Sequence, residues 1–199
     1  MKVVTLLPGS KGVDTIIDLT ADQCQALKSE GVRFVVRYLG DIMTPELKTI
    51  LASGLAVSFV TFAKRFDGKQ AVAQAKALGL PVGTVLWLDV EGITDDPATL
   101  ITRINAWAVD VSAAGYIPGM YVGAQCPLTS AELYALKVVR YWHSCSRVVD
   151  RDGREAAPSC GWCLYQLSPP NLHCGPVIVD YDFAQLDYRG RGVAVVIAD

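Results

Sequence analysis

The chain has 199 residues, 51% of them hydrophobic and 19% charged, with a formal net charge of −2. That balance excludes a disordered segment, which would be poor in apolar side chains and strongly charged. Eighteen basic against twenty acidic residues leave no surplus to neutralise phosphates, which argues against a nucleic-acid partner or an anionic membrane surface.

In chain order, Met1 to Pro8 resembles an export leader only superficially, because its apolar run stops at Pro8, short of the roughly 7–15 residues a leader core needs. No apolar run approaches the ~20 residues of a membrane span. Val13–Ile17 reads as the first strand. Thr20 then caps a helix over Ala21–Ser29, with Gln23 as its capping-box partner and Gly31 as its stop. Phe34–Tyr38 is the second strand, and Thr44-Pro45 opens a helix that ends before Gly54. A third strand, Ala56–Phe62, precedes an Ala-rich helix over Gln70–Ala77 that closes at Gly79. Thr84–Asp89 is the fourth strand. Pro97–Ala114 is the longest helix, with Leu100, Ile104 and Trp107 on one face.

Strands at Gly119–Val122 and Arg140–His143 flank a helix over Ala131–Val138, capped by Thr129 or Ser130. Ser146–Gly161, rich in charge, Gly and Pro, reads as a loop, and Cys163–Leu167 and Val177–Asp180 complete eight candidate strands. The last barrel helix looks truncated, since Tyr188–Asp199 ends in the strand-like Val193–Ile197. Most strands are continuous β-branched and aromatic runs, as expected of parallel strands buried on both faces. Alternation with helices implies an α/β fold, a (β/α)8-type TIM barrel shortened or irregular in its second half. No linker or repeat interrupts it, so residues 1–199 read as a single domain.

In such a barrel, chemistry gathers at the carboxyl ends of the strands. Three of them end in acidic pairs: Asp14 and Asp18, Asp89 and Glu91, and Asp180 and Asp182. The period of two puts Asp89 and Glu91 on one side, pointing together into the mouth. Carboxylates that close raise one another's pKa and keep one protonated as a general acid. Glycoside hydrolysis needs that acid, plus negative charge to stabilise an oxocarbenium-like transition state. Tyr38, Tyr121 and Tyr165 offer sugar-stacking faces, whereas Phe62 and Trp87 are expected in the core. Arg37 is expected to point into the acidic mouth, either pairing with Asp14 or Asp18 or forming a structural ion pair.

Gly12-Val13-Asp14, Asp89-Val90-Glu91, Tyr165-Gln166 and Val179-Asp180-Tyr181-Asp182-Phe183 together resemble family 25 glycoside hydrolases, lysozymes that cut bacterial peptidoglycan. Phe34-Val35-Val36-Arg37-Tyr38-Leu39 and Gly54-Leu55-Ala56-Val57 resemble a sister group, the bacterial glycoside-hydrolase-like domain. The resemblance spans about residues 11 to 187. It implies Glu91 as general acid/base, Asp89 as its partner, and Asp14 and Asp180 as flanking carboxylates. It also implies the substrate's own 2-acetamido group as nucleophile, with net retention. Two departures stand out: family 25 usually has Asn where Asp182 stands, and Thr15-Ile16-Ile17 lacks its usual Ser and nearby Trp. Asp18 is then a helper candidate, and Asp18, Arg37, Tyr38, Tyr121, Tyr165, Gln166 and Asp182 form the expected substrate-binding set.

A second constellation, His143, Cys145, Cys160, Cys163, His173 and Cys174, has enough ligands for zinc but matches no zinc module. Free or disulfide-bonded loop cysteines are the simpler reading, and Cys24 is a small buried hydrophobe. The expected protein is therefore a monomeric peptidoglycan or related polysaccharide hydrolase needing no metal or other cofactor. The alternatives are a non-catalytic cell-wall glycan binder and a zinc-stabilised structural protein. With no visible leader, action at the bacterial wall implies phage release or dedicated export, or a removed leader.

Overall fold

Five strand–helix units build most of a barrel. The computed structural model describes residues 1–63 and 67–199. A short first strand, β1 (Lys2–Thr5), precedes β2 (Lys11–Asp14), α1 (Ala21–Ser29), β3 (Phe34–Tyr38), α2 (Thr44–Ala52) and β4 (Ala56–Phe62). Then follow α3 (Gly68–Ala77), β5 (Val85–Asp89), α4 (Pro97–Ala113), β6 (Ile117–Val122), α5 (Ser130–Ala135) and β7 (Arg140–His143). The chain ends with β8 (Leu164–Gln166), β9 (Leu172–Cys174), β10 (Val177–Ala184) and β11 (Ala194–Ile197).

Strands β2 to β8 pair in parallel, and β4 also pairs with β5, so the sheet closes on itself with eight strands once β10 is included. Strand β10 lies antiparallel to both of its neighbours, β2 and β8, where the sequence suggests a parallel strand. The reason is the connection. No helix separates β8 from β10; β9 folds back on β10 as a hairpin, and a short connection can join only antiparallel strands. The second half is irregular as expected.

Other differences are local. The first barrel strand ends at Asp14 instead of Ile17, because Thr15 Oγ1 donates to the Ile178 carbonyl and accepts from the Ile17 N–H, turning the chain. The fifth helix stops at Ala135, where Leu136 turns extended. The expected capping box of Thr20 with Gln23 forms, and of the two caps offered for the fifth helix Thr129 is the one used, in a capping box with Glu132. The terminal apolar run is indeed a strand: β11 pairs with β1 and touches β4 at Val57.

Alternation divides the apolar residues into two layers. Val13, Val35, Val57, Leu86 and Leu88 face the helices. Phe34, Val36, Val60, Trp87, Tyr121 and Trp142 fill the interior, which Leu6, Val193 and Val195 close at the strands' amino ends. Trp87 is fully buried, as expected, whereas Phe62 is exposed at the rim with its ring edge-on to Tyr38.

Two glycines make room for the interior rings. A Cβ at Gly12 would lie 2.1 Å from the Phe34 ring, and one at Gly119 would lie 2.4 Å from Trp87. Gly119→Ala is therefore expected to destabilise the barrel by about 1–3 kcal/mol through overpacking, measurable by denaturant unfolding.

Candidate active site

Four carboxylates line one pocket of about 340 Å³ at the carboxyl ends of the parallel strands: Asp14, Asp89, Glu91 and Asp180. Tyr38, Tyr121, Trp142, Cys145 and Gln166 share its wall, with Ile16, Val60 and Pro170. No Lys or Arg lines it among the described residues.

Each acid is placed by its strand. Asp89 ends β5 and is nearly buried; it accepts from the Tyr38 hydroxyl at 2.9 Å and from the Glu91 N–H at 2.8 Å. That second bond shapes the turn carrying Glu91 beyond the strand. The two side chains face one pocket, as expected, although Glu91 is placed by this turn and not by strand alternation. Asp14 lies directly opposite Asp180 in the β2–β10 ladder. Between them Gln166 Nε2 donates to both, at 2.9 and 3.0 Å, while its Oε1 accepts from the Tyr121 hydroxyl at 2.9 Å and the Cys145 N–H at 3.2 Å. The Asn171 N–H also donates to Asp180.

Burial weakens Asp14, Asp89 and Glu91, and neighbouring charge adds to the effect at Asp14 and Glu91. Burial first, then the Asp180 charge, pushes Asp14 up to about 7 against the Gln166 hydrogen bond. Burial raises Asp89 in spite of its donors. Burial raises Glu91 too, helped by the charges of Asp89 and Asp180 across the pocket. Asp182 is pushed well above the usual carboxylate range by complete burial and by Asp14 beside it.

Four residues of the expected substrate-binding set, Asp18, Arg37, Tyr165 and Asp182, do not line the pocket. Arg37 does not enter the mouth: Tyr38 faces the interior, so its neighbour on β3 faces the helices. Arg37 is fully buried there, with Nε 2.8 Å from Glu46 on α2, Nη2 3.0 Å from Asp18, and Nη1 on the Thr15 carbonyl. The expected pairing with Asp18 does form, but outside the pocket and as part of a structural ion pair with Glu46, Asp18 being the exposed partner. Tyr165 also faces outward and stacks on His143, centroids 5.3 Å apart. Asp182 is in the interior but below the pocket wall, fully buried beneath Trp142, whose Nε1 donates to it at 3.0 Å.

The Cys/His cluster does not assemble. Among the described residues no three His, Cys, Asp or Glu come together as metal ligands, and all six cysteines are free thiols. Cys163 packs in the interior, whereas His143 packs between Trp162 and Tyr165 outside.

The sequence reading missed Gly123, which follows β6. A Cβ there would lie 3.0 Å from Glu91 Oε1, so its bare backbone leaves the space that Glu91 occupies. It also missed Asn171, although Pro169-Pro170-Asn171 marks a turn.

A closed barrel with an acidic pocket at this rim has the architecture of a glycoside hydrolase-like protein. The family model "Rv2525c-like, glycoside hydrolase-like domain" matches residues 25–163, and the chain belongs to that family. No curated protein sequence matches it. Among solved structures it is similar to GHIP, a glycosyl hydrolase 25 and virulence factor of Streptococcus pneumoniae, with a TM-score of 0.60 and 13% identity over 88% of this chain and 87% of that one. The catalytic domain of endolysin ply40 from bacteriophage P40 of Listeria monocytogenes gives 0.58 and 13%, over 89% and 93%. The modular Cpl-1 endolysin, solved with a peptidoglycan analogue, gives 0.55 and 16%, over 92% and 56%. At these identities the likeness establishes the shared barrel.

The pocket has a consequence for stability. The folded Asp14 holds its proton up to about 7, against 3.8 for an ordinary aspartate. Folding therefore takes up a proton between those values, and stability falls as pH rises through that window. Asp14→Asn is expected to flatten this fall and to stabilise the protein at neutral pH on the order of a few kcal/mol, read from unfolding curves across the pH range.

Proposed function

We propose that the chain is a peptidoglycan-degrading glycosidase, a lysozyme-like N-acetylmuramidase, with residues 1–199 acting as one catalytic barrel at the bacterial cell wall. The observation that carries this reading is the meeting of Glu91, Asp89, Asp14 and Asp180 in one pocket with no Lys or Arg lining it among the described residues. Such a pocket favours a transition state that gains positive charge and keeps an acid protonated. It also continues past Asp14, Ile16 and Asp180 onto a ledge of Ile17, Asn171 and Ile178, which gives a polymer room to run on. No helix among the described residues is long and apolar enough to cross a membrane.

Glu91 is the group to donate a proton, since its carboxyl is weakened and its side chain is exposed to the pocket. Its proton goes to the oxygen of the β-1,4 link as the bond to the anomeric carbon breaks. The substrate's acetamido oxygen closes on that carbon, forming a cyclic cation. Asp180, fixed by Gln166 and the Asn171 N–H, accepts the acetamido N–H and faces the charge, with Asp14 beside it. The Glu91 carboxylate then takes a proton from water, whose oxygen attacks the anomeric carbon and reopens the ring with retention. Asp89 holds the Glu91 turn and keeps Glu91 weak. Tyr38 and Tyr121 wall the pocket, their hydroxyls orienting Asp89 and Gln166.

Mass analysis of muropeptides released from purified peptidoglycan tests the reading. Glu91→Gln is expected to lower release about a hundredfold or more while shifting stability by less than about 0.5 kcal/mol, since the side chain is exposed. Binding without release by the wild-type chain, or equal release by the variant, would reject hydrolysis through Glu91.

A further inference from the structure

Below the pocket, Asp182 presents a hydrogen-bonding problem that the proposed reaction leaves unsolved. Alternation along β10 turns Asp180, Asp182 and Ala184 inward together, and Asp182 is 0% exposed. Its ladder partners are Gly12 on β2 and Gln166 on β8. Gly12 has no side chain to offer, and Gln166 directs its amide group to Asp14 and Asp180 above. On β7, Trp142 Nε1 donates to Asp182 Oδ1 at 3.0 Å. Oδ2 has no donor among the described residues.

What lies within hydrogen-bonding reach of Asp182 is the carboxyl of Asp14. The charged groups acting on it are Asp14 on β2 and Asp180 on its own strand, both acidic. Two carboxylates pressed together, one of them fully buried and with no cation between them among the described residues, repel and leave Asp182 Oδ2 unpaired. One proton between them cures both faults, because it removes a charge and supplies the missing donor.

We propose that Asp182 is a positioning residue, a neutral carboxylic acid whose hydroxyl donates to Asp14 and so leaves the pair a single negative charge beneath the pocket. This rests on the reading of Asp14 as a carboxylate of the reaction site, and adds how that carboxylate is held. Asp14 is gripped from two directions, by Gln166 within the pocket and by Asp182 below. Burial and the neighbouring Asp14 charge favour the protonated form of Asp182. The pair titrates as a unit, so its two proton losses belong to both residues.

Infrared spectroscopy of the whole chain without substrate tests this independently of any activity. At neutral pH the wild-type minus Asp182→Asn difference is expected to show the carbonyl band of a protonated carboxylic acid. A difference containing only carboxylate bands would overturn the proposal. Carbon-13 NMR of labelled aspartate adds a charge test. Asn replaces one neutral donor by another, so Asp14 should titrate close to its wild-type position in Asp182→Asn. If Asp182 were instead ionised, losing its charge would move Asp14 down by about one pH unit or more, and the proposal fails. The donor-free Asp182→Leu should move Asp14 upward where that variant folds. A chain that shows the acid band yet releases no muropeptides would reject the hydrolase reading alone; muropeptide release without the band would reject this one alone.

Discussion

Between β2 and β8 the barrel needs one more strand to close, and the chain supplies it in reverse. Strand β10 runs antiparallel to both neighbours, and most of the site depends on that reversal. It sets Asp180 opposite Asp14, and Asp182 opposite both Gly12 and Gln166. With inward residues at every second position, one strand thus delivers a carboxylate to the pocket and another to the layer below it. The hairpin from β9 brings the preceding loop close enough for the Asn171 N–H to reach Asp180.

Closing the barrel concentrates acidic groups where water is scarce, and the surrounding residues manage the resulting repulsion. Gln166 donates to two carboxylates from one nitrogen, and its oxygen is anchored by Tyr121 and the Cys145 backbone. Tyr38 performs the same service for Asp89. The buried cation lies on the other side of the sheet. Arg37 ties the loop after β2 to α2 through Thr15, Asp18 and Glu46, leaving the interior acidic. A buried guanidinium so fully paired is costly to unpair, so the loop bearing Thr15 and Asp18 is held firmly beside Asp14.

The interior below is filled with aromatic rings that only glycine neighbours permit. Phe34 lies over Gly12, and Trp87 over Gly119. Trp142 meets Trp87 edge-on at 5.9 Å and Tyr121 at 4.7 Å, and its indole nitrogen reaches Asp182. The acidic pocket therefore rests on a layer of packed aromatic rings that also encloses the Asp182 carboxyl.

Local patterning was enough to read the alternation of strands and helices, the Thr20–Gln23 capping box and the three acidic strand ends, because each depends on residues within a few positions of one another. Asp89 and Glu91 face one pocket for the same local reason. Alternation along a strand decides the side of the sheet, but the sequence reading did not apply it: inward Tyr38 requires outward Arg37, and inward Gln166 requires outward Tyr165, although all four were expected in the mouth. Other features depended on contacts between distant segments. The direction of β10 follows from a hairpin, the space for Glu91 from Gly123 one strand away, and the burial of Asp182 from Trp142 forty residues before it. A sequence records which side chains can ionise, but the charge each one carries depends on neighbours and solvent that only the closed barrel brings together.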